Sequence, residues 1–410
     1  MNSLPLVSVI IPSYKTARTL AEAIESALHQ THSNIEVIVI NDGSPDETDE
    51  AVQPYLHKIV YIKQENRGLS AARNAAFRAS KGEFICFLDA DDILLPDKFT
   101  RQLELFEKEP DLGIVISGYI DVEADGKTEI RTVEKHWHRD ALDHLLNHEV
   151  FPPHVALIRR NVLESSGLFP ENIVTLEFQE DWQLWLSFAL DGVQFSSVVV
   201  PTCKYRRSNG SFSASDPLRH NDGAKRVVEW LCNDPRASKL RKDVDRLSAI
   251  VDLERIARLY SLGRIDEASR VFAATIAKWP GFWREPANMQ RLYTMTSSCN
   301  KSQLSGLQRT RAFEKAIILE MLPRLFEASQ QLNSHGEKFT RRSNSLLATS
   351  LLAMSDIGYN SCSHTIRRQA TWNALKHSPK SALSPEGRAS FLRGIIGPRF
   401  VQTLKSLGRK

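Results

Sequence analysis

Phe84-Ile85-Cys86-Phe87-Leu88-Asp89-Ala90-Asp91-Asp92 is an apolar run of five residues that passes straight into three carboxylates. A strand without polar alternation is covered on both faces, which is the pattern of a parallel sheet flanked by helices. In such sheets ligands sit beyond the carboxyl ends of the strands. Carboxylates gathered there have no packing role, and they suit a cation or a hydroxylated ligand. An Asp-x-Asp triplet alone says little, since about one or two are expected by chance in a chain of this length. The second one, Asp243-Val244-Asp245, lies in a helical pattern where the two side chains diverge by roughly 200°, and it reads as a solvated face.

Upstream the same arrangement repeats. The run 6–11 ends at Pro12-Ser13-Tyr14-Lys15, the run 35–40 at Asn41-Asp42-Gly43-Ser44, and the run 59–62 at Gln64-Glu65-Asn66-Arg67-Gly68. Three strand ends, 12–15, 42–44 and 89–92, are therefore expected to converge on one crevice. Thr19-x-x-Glu22 reads as a capping box opening a helix with Leu20, Ile24, Ala27 and Leu28 inward, and Ser70 as the cap of a helix over 71–79. Downstream, 114–120 and 195–200 read as strands, and 139–146 and 181–190 as helices. The domain boundary falls near 216–221, giving an α/β domain over 1–218 and a mainly helical domain over 219–410. In the latter, Val244, Leu247, Val251, Ile256 and Leu259 keep helical period. The segment 257–279 has the spacing of one tetratricopeptide helix pair, but no further copies follow, so a generic helical hairpin is the better reading. The serine-rich stretches 296–305 and 377–384 read as loops.

The chain has 410 residues, enough for two or three domains of roughly 100–200 residues each, with an ordinary globular composition. Five cysteines, Cys86, Cys203, Cys232, Cys299 and Cys362, include no CxxC pair, which argues against zinc and iron-sulfur sites and for a reduced, intracellular protein. No apolar stretch reaches the ~20 residues of a membrane span, and the amino-terminal apolar run lacks the flanks of a signal peptide. Residues 363–410 hold ten Lys and Arg against Glu386 alone, so this tail supplies +9 while the whole chain carries +4. A solvated helical face and peripheral contact with an anionic membrane surface both fit that tail. Nucleic acid is not an expected partner, because basic and aromatic residues do not interleave.

Five segments come in the order and at the spacing of one known family: Val7-Ser8-Val9-Ile10-Ile11-Pro12-Ser13-Tyr14, Val39-Ile40-Asn41-Asp42-Gly43-Ser44, Asn66-Arg67-Gly68-Leu69-Ser70-Ala71-Ala72-Arg73-Asn74, Phe87-Leu88-Asp89-Ala90-Asp91-Asp92 and Glu180-Asp181-Trp182. Together they resemble the family 2 inverting glycosyltransferases, over about residues 5–213. The resemblance implies a GT-A fold, a Rossmann-like mixed sheet with helices on both faces, and says nothing of the helical half. It implies a nucleotide-diphosphate sugar donor, with Pro12, Ser13, Tyr14 and Asp42 at the base, Arg73 in the donor site and Asp89 on the ribose or sugar. Asp91 would hold a divalent cation, Mg²⁺ or Mn²⁺, that neutralises the leaving diphosphate. Asp92 would cap the following segment. Asp181 would be the general base, with Glu180 supporting it or a loop, and Arg206 in a Tyr205-Arg206-Arg207 loop would clamp phosphate oxygens.

Other readings of the same residues stand beside these. Asp42 suits an Asx-turn with Gly43, Arg73 a surface helix charge, and Trp182, Trp185, Leu186 and Ala189 the core. His136, His138, His144, His148 and His154 form no closed ligand set and read as exposed or hydrogen-bonded. The expected activity is transfer of one or a few sugars to a carbohydrate or lipid-linked acceptor in glycan assembly, in the cytoplasm or at the inner face of the membrane, with a protein partner for the helical half left open. The alternatives are a non-catalytic glycosyltransferase-like binding module and, less favoured, a sugar nucleotidyltransferase, which would need a glycine-rich loop in place of 12–15.

Overall fold

The computed structural model describes residues 4–123, 126–131, 137–148, 150–171, 179–207 and 217–279. Contacts gather the chain into two units, Met1–Val244 and Asp245–Lys410. The first is built on one nine-stranded sheet. Strand β1 (Val7–Ser13) is buried at every position, Ser8 and Ser13 included, as a strand covered on both faces. Around it β2 (Ile35–Asp42), β3 (Val60–Gln64) and β4 (Phe84–Phe87) lie parallel in the order β3-β2-β1-β4. Their carboxyl ends consequently share one edge.

Beyond β4 the sheet becomes mixed. The three-residue strand β8 (Leu157–Arg159) runs antiparallel to both β4 and β6 (Leu112–Val122), and β9 (Gln194–Arg206) lies parallel to β6. The dipeptide β5 (Ile93–Leu94) pairs antiparallel with β9, and β7 (Thr128–Arg131) is the hairpin partner of β6. This is the Rossmann-like mixed sheet with flanking helices that the family resemblance implies; strand composition alone pointed to parallel pairing and described only the β3-β2-β1-β4 half.

Two helix starts differ from their sequence reading. Helix α1 (Ala17–Leu28) opens before Thr19, and no side chain of its own first turn caps it. Its first N–H, that of Ala17, instead donates to Asp46 Oδ2 at 3.0 Å, so the cap comes from the loop after β2. Glu22, freed from a capping box, reaches Arg206 Nη1 at 2.8 Å. After the short helix α2 (Thr48–Val52), helix α3 (Leu69–Ala79) is capped by Gly68, whose φ of 86° favours glycine, and Ser70 lies inside the helix rather than at its cap. Helix α4 (Lys98–Lys108) follows β5, while α5 (Trp137–Leu146), α6 (Arg160–Ser166) and α7 (Glu180–Leu190) line the second half of the sheet sequence.

The described residues after 217 are helical: Pro217–Asn233, a 3₁₀ turn Pro235–Leu240, Arg241–Ser261 and Ile265–Lys278. The last two form the expected hairpin, turning at Gly263 with φ 73° and joined by Thr275 Oγ1 donating to Asp252 Oδ2 at 3.2 Å. Val244, Leu247, Val251, Ile256 and Leu259 are all buried, and Asp243 and Asp245 are exposed. The serine-rich stretches and the basic tail 363–410 lie outside the described residues.

Candidate active site

The loops after β1 and β2 are pinned to each other. Ser13 Oγ and Thr16 Oγ1 are 2.8 Å apart, and the backbone N–H of Lys15, at φ 58°, donates to Ser44 Oγ at 2.7 Å. Tyr14 stands exposed above them. The side-chain bond that closes this corner belongs to Asn41, whose Oδ1 accepts from Ser44 N three residues on at 2.8 Å, and Asp42 makes no Asx-turn. Buried Asp42 instead accepts three donors from the end of β3 and the loop after it: Gln64 Nε2 at 2.6 Å, Arg67 N at 3.0 Å and Gly68 N at 2.9 Å. A carboxylate accepts about four hydrogen bonds, so roughly one acceptor position is left. Gly43 turns with φ 67° directly against Asn66 N, where a Cβ would lie at 2.7 Å, so side chain and turn together fasten β2 to the Asn66-Arg67-Gly68 segment.

At the end of β4 the three aspartates separate. Asp92 is fully buried, with Oδ1 accepting from Arg206 N at 2.8 Å and Oδ2 lying 2.9 Å from His154 Nδ1. It therefore does not cap the following segment. That close approach is an ion pair set off the axis of a hydrogen bond, since Asp92 Oδ2 and both ring nitrogens of His154 are buried with no hydrogen-bond partner. Burial opposes a charged His154, but the Asp92 carboxylate outweighs it and holds the imidazole well above its ordinary range. Asp91 is pushed up to about 7, first by burial and then by the neighbouring charges of Asp92 and Asp89. Arg206 Nε donates to the carbonyl of Asp91, which ties β9 to the same corner.

Arg73 joins this corner to α7. Its guanidinium is buried, with Nη2 donating to Asp89 Oδ1 at 2.7 Å and Nη1 to Glu180 Oε1 at 2.8 Å, and it lies 4.8 Å from the Phe169 ring centre. The surface-charge reading of Arg73 is thus excluded by its 1% exposure. Burial opposes its charge, yet Asp89 and Glu180 together raise its pKa. The adjacent Asn74 donates to the Phe169 carbonyl at 2.8 Å and accepts from Phe169 N at 3.1 Å, holding the loop ahead of α7. Half-buried Asp181 accepts from Trp182 N at 2.7 Å, and its carboxyl is pushed up to about 7 by burial and by the charge of Glu180. Trp182 and Trp185 are fully buried, donating to the carbonyls of Leu145 and Phe151, so neither is a sugar platform.

Residues 8–167 match the model of the glycosyl transferase family 2. The amino-terminal unit belongs to that family. An uncharacterized glycosyltransferase of Rickettsia prowazekii is 35% identical over 190 residues, 45% of this chain and 58% of that protein. An uncharacterized glycosyltransferase of a Nostoc species is 36% identical over 190 residues, 44% of this chain and 56% of that one, and the Bacillus subtilis glycosyltransferase EpsJ is 39% identical over 130 residues, 31% and 38%. The chain thus spans no more than 58% of the length of these relatives. A solved structure of S. aureus TarS has a TM-score of 0.49 at 16% identity, covering 79% of this chain and 55% of that one, too distant to add to the family match.

Within the family 2 unit, the carboxylates named from sequence stand at the ends of elements: Asp42 closing β2, Asp89 and Asp91 after β4, and Glu180 and Asp181 opening α7, with Arg73 joining Asp89 to Glu180. Sequence reasoning missed His154. Asp89, Asp92 and His154 each offer one ligand atom, and these atoms lie within 4.8 Å of one another. The fit to a cation is chemical as well as geometric, because the orphaned polar atoms of Asp92 and His154 are ones a cation would satisfy once it displaces the proton that pairs His154 with Asp92. Two carboxylates and an imidazole favour Mn²⁺ over Mg²⁺, which prefers oxygen alone. The family 2 motif gave no pointer to His154, since it stands 62 positions beyond Asp92 in an irregular, histidine-rich stretch. His144 stacks on Trp137 at 4.8 Å, and His148 lies 4.4 Å from Trp182, so both sit against aromatic rings. His136 lies outside the described residues, and so do the side chain of His138 and the loop 208–216. Among the described residues no helix is long and apolar enough to cross a membrane.

Proposed function

We propose that this protein transfers a sugar from a nucleotide-diphosphate donor to a hydroxyl acceptor with inversion, assisted by a divalent cation. The observation that carries this reading is the bridge from Asp89 through Arg73 to Glu180, which brings a donor-side acid and an acceptor-side acid to one site across a separation of 91 residues. Pro12, Ser13, Tyr14 and the remaining acceptor position of Asp42 suit the nucleoside, and Arg206 suits the diphosphate. The cation, held by Asp91 or by the Asp89, Asp92 and His154 set, would neutralise the charge that develops on the departing diphosphate.

Asp181 is the base. Its half-buried carboxyl, raised to about 7, is a far better match for an alcohol proton near neutral pH than an ordinary aspartate. Glu180 is occupied by Arg73 and cannot serve as freely, so the two neighbouring acids divide into support and base. Deprotonated Asp181 takes the proton of the incoming hydroxyl as its oxygen attacks the anomeric carbon opposite the leaving diphosphate, and in-line displacement inverts that centre. The acceptor is a carbohydrate or a lipid-linked sugar, and the basic tail would favour an anionic membrane surface. A screen of nucleotide sugars for slow hydrolysis and for thermal stabilisation of the protein tests the reading and names the donor; no hydrolysis and no stabilisation by any of them would overturn it.

A further inference from the structure

We propose that Arg73 is a positioning residue that sets the general base against the donor side, and not a ligand of the donor phosphates. This rests on the transferase reading of the same site. The guanidinium has 1% exposure, and both of its terminal nitrogens are already committed to carboxylates, Nη2 to Asp89 and Nη1 to Glu180. Its remaining nitrogen, Nε, is buried without a partner, and the ring of Phe169 lies 4.8 Å away. A phosphate could engage Arg73 only by displacing one of these carboxylates, which would leave a buried acid without its partner.

The planar fork explains why an arginine stands here. Two carboxylates that belong to different elements, the end of β4 and the first turn of α7, are held at fixed separation by two nitrogens of one rigid group. Asn74, the next residue on α3, reinforces the bracket by bonding both the N–H and the carbonyl of Phe169, and its Nδ2 also donates to Glu171 Oε1 at 2.9 Å. Arg78, one turn further along α3, meets the same Glu171 oxygen at 2.7 Å. Helix α3 therefore fastens the chain on the amino side of α7 at Phe169 and Glu171, and α7 itself at Glu180. Asp89 keeps its second oxygen for a cation or a hydroxyl, and its orientation is set by the bond that Oδ1 makes to Arg73. Asp181 follows Glu180 directly, so the bridge fixes where the base stands relative to Asp89.

The test uses the full chain with Arg73→Lys, which keeps one positive charge but lacks the planar fork whose two nitrogens hold the carboxylates at fixed separation, and with Arg73→Gln. Amide hydrogen exchange at residues 183–186 is expected to accelerate by roughly tenfold in both variants while β1 and β2 stay protected. Unchanged exchange at 183–186, or uniform acceleration over β1 and β2 as well, would overturn the proposal. With a nucleotide sugar that the wild type turns over, kcat is expected to fall by about 100-fold, the scale of an ångström of misplacement, with nucleoside diphosphate affinity within about threefold. A lost affinity with kcat retained would make Arg73 a donor ligand and overturn it. If the wild type turns over no nucleotide sugar, the transferase reading fails by itself, and hydrogen exchange still decides the role of Arg73.

Discussion

His154 Nδ1 sits 2.9 Å from Asp92 Oδ2, and neither side chain has any exposed surface. The pair lies beneath Asp89 and locks the end of β4 to the segment ahead of β8, while the other Asp92 oxygen holds Arg206 of β9. Charges removed from water survive only in such company. His154→Ala would leave a buried carboxylate facing an apolar gap, and should cost about 3–5 kcal/mol in urea unfolding at neutral pH. A loss below about 1 kcal/mol would show that the pair carries no ionic attraction.

Asp42 organises its own loop before it meets any ligand. Asp42→Ala removes the acceptor for Gln64, Arg67 and Gly68 and should destabilise the protein by about 1–3 kcal/mol, with nucleoside diphosphate affinity falling alongside. Asp42→Asn should cost less but still measurably, because its Oδ1 can keep Gln64 and Arg67 while its NH₂ group faces the Gly68 N–H. Full stability of the asparagine variant in thermal unfolding would contradict this account of the loop.

The cation reading predicts that a chelator weakens nucleoside diphosphate binding by at least about tenfold. Mn²⁺ should restore binding better than Mg²⁺ if His154 joins the ligand set. Asp91→Ala separates the two ligand sets: the chelator should make no difference in that variant where Asp91 holds the cation, and should still weaken binding where Asp89, Asp92 and His154 hold it. Calorimetry showing equal affinity with and without chelator in the wild type would rule out the cation.

The raised carboxyl of Asp181 has a consequence for stability with a definite sign. Its ordinary value is 3.8 and its folded value about 7, so between these pH values the folded state holds the proton more firmly than the unfolded state does. Stability contributed by that proton is present at low pH and lost as pH rises through about 7. Asp181→Asn removes the penalty, so its stability relative to wild type should climb between about pH 4 and 7 and then level off. A difference that is flat with pH in urea unfolding would place the titration elsewhere.

Strands β1, β2 and β4 were legible because burial on both faces leaves a mostly apolar run, β3 by its short β-branched and aromatic run at the sheet edge, and their shared edge followed from parallel pairing. What sequence did not disclose came from distant partners. The start of α1 depends on Asp46, 29 positions from Ala17, and no local pattern marks such a cap. The burial of Arg73 depends on Glu180, 107 positions away, and a guanidinium on an alanine-rich helix otherwise reads as surface. β5 and β8 are two and three residues long, too short for any periodicity to register. His154 was hidden among neighbouring histidines, and only its meeting with Asp92 sets it apart. The motif residues, with Asp181 expected as base and Glu180 as its support, were legible through the family resemblance, whereas the bridge that Arg73 makes between Asp89 and Glu180 emerges only from the hydrogen bonds.

The most direct measurement is single-turnover transfer by Asp181→Asn with a donor identified by the nucleotide-sugar screen, alongside calorimetric affinity for that donor. Asparagine fills the same space and cannot accept the acceptor proton, so donor affinity should stay within about threefold while transfer falls by about 10²–10⁴-fold. Transfer at the wild-type rate would show that the proton leaves by another route and that Asp181 is not the base.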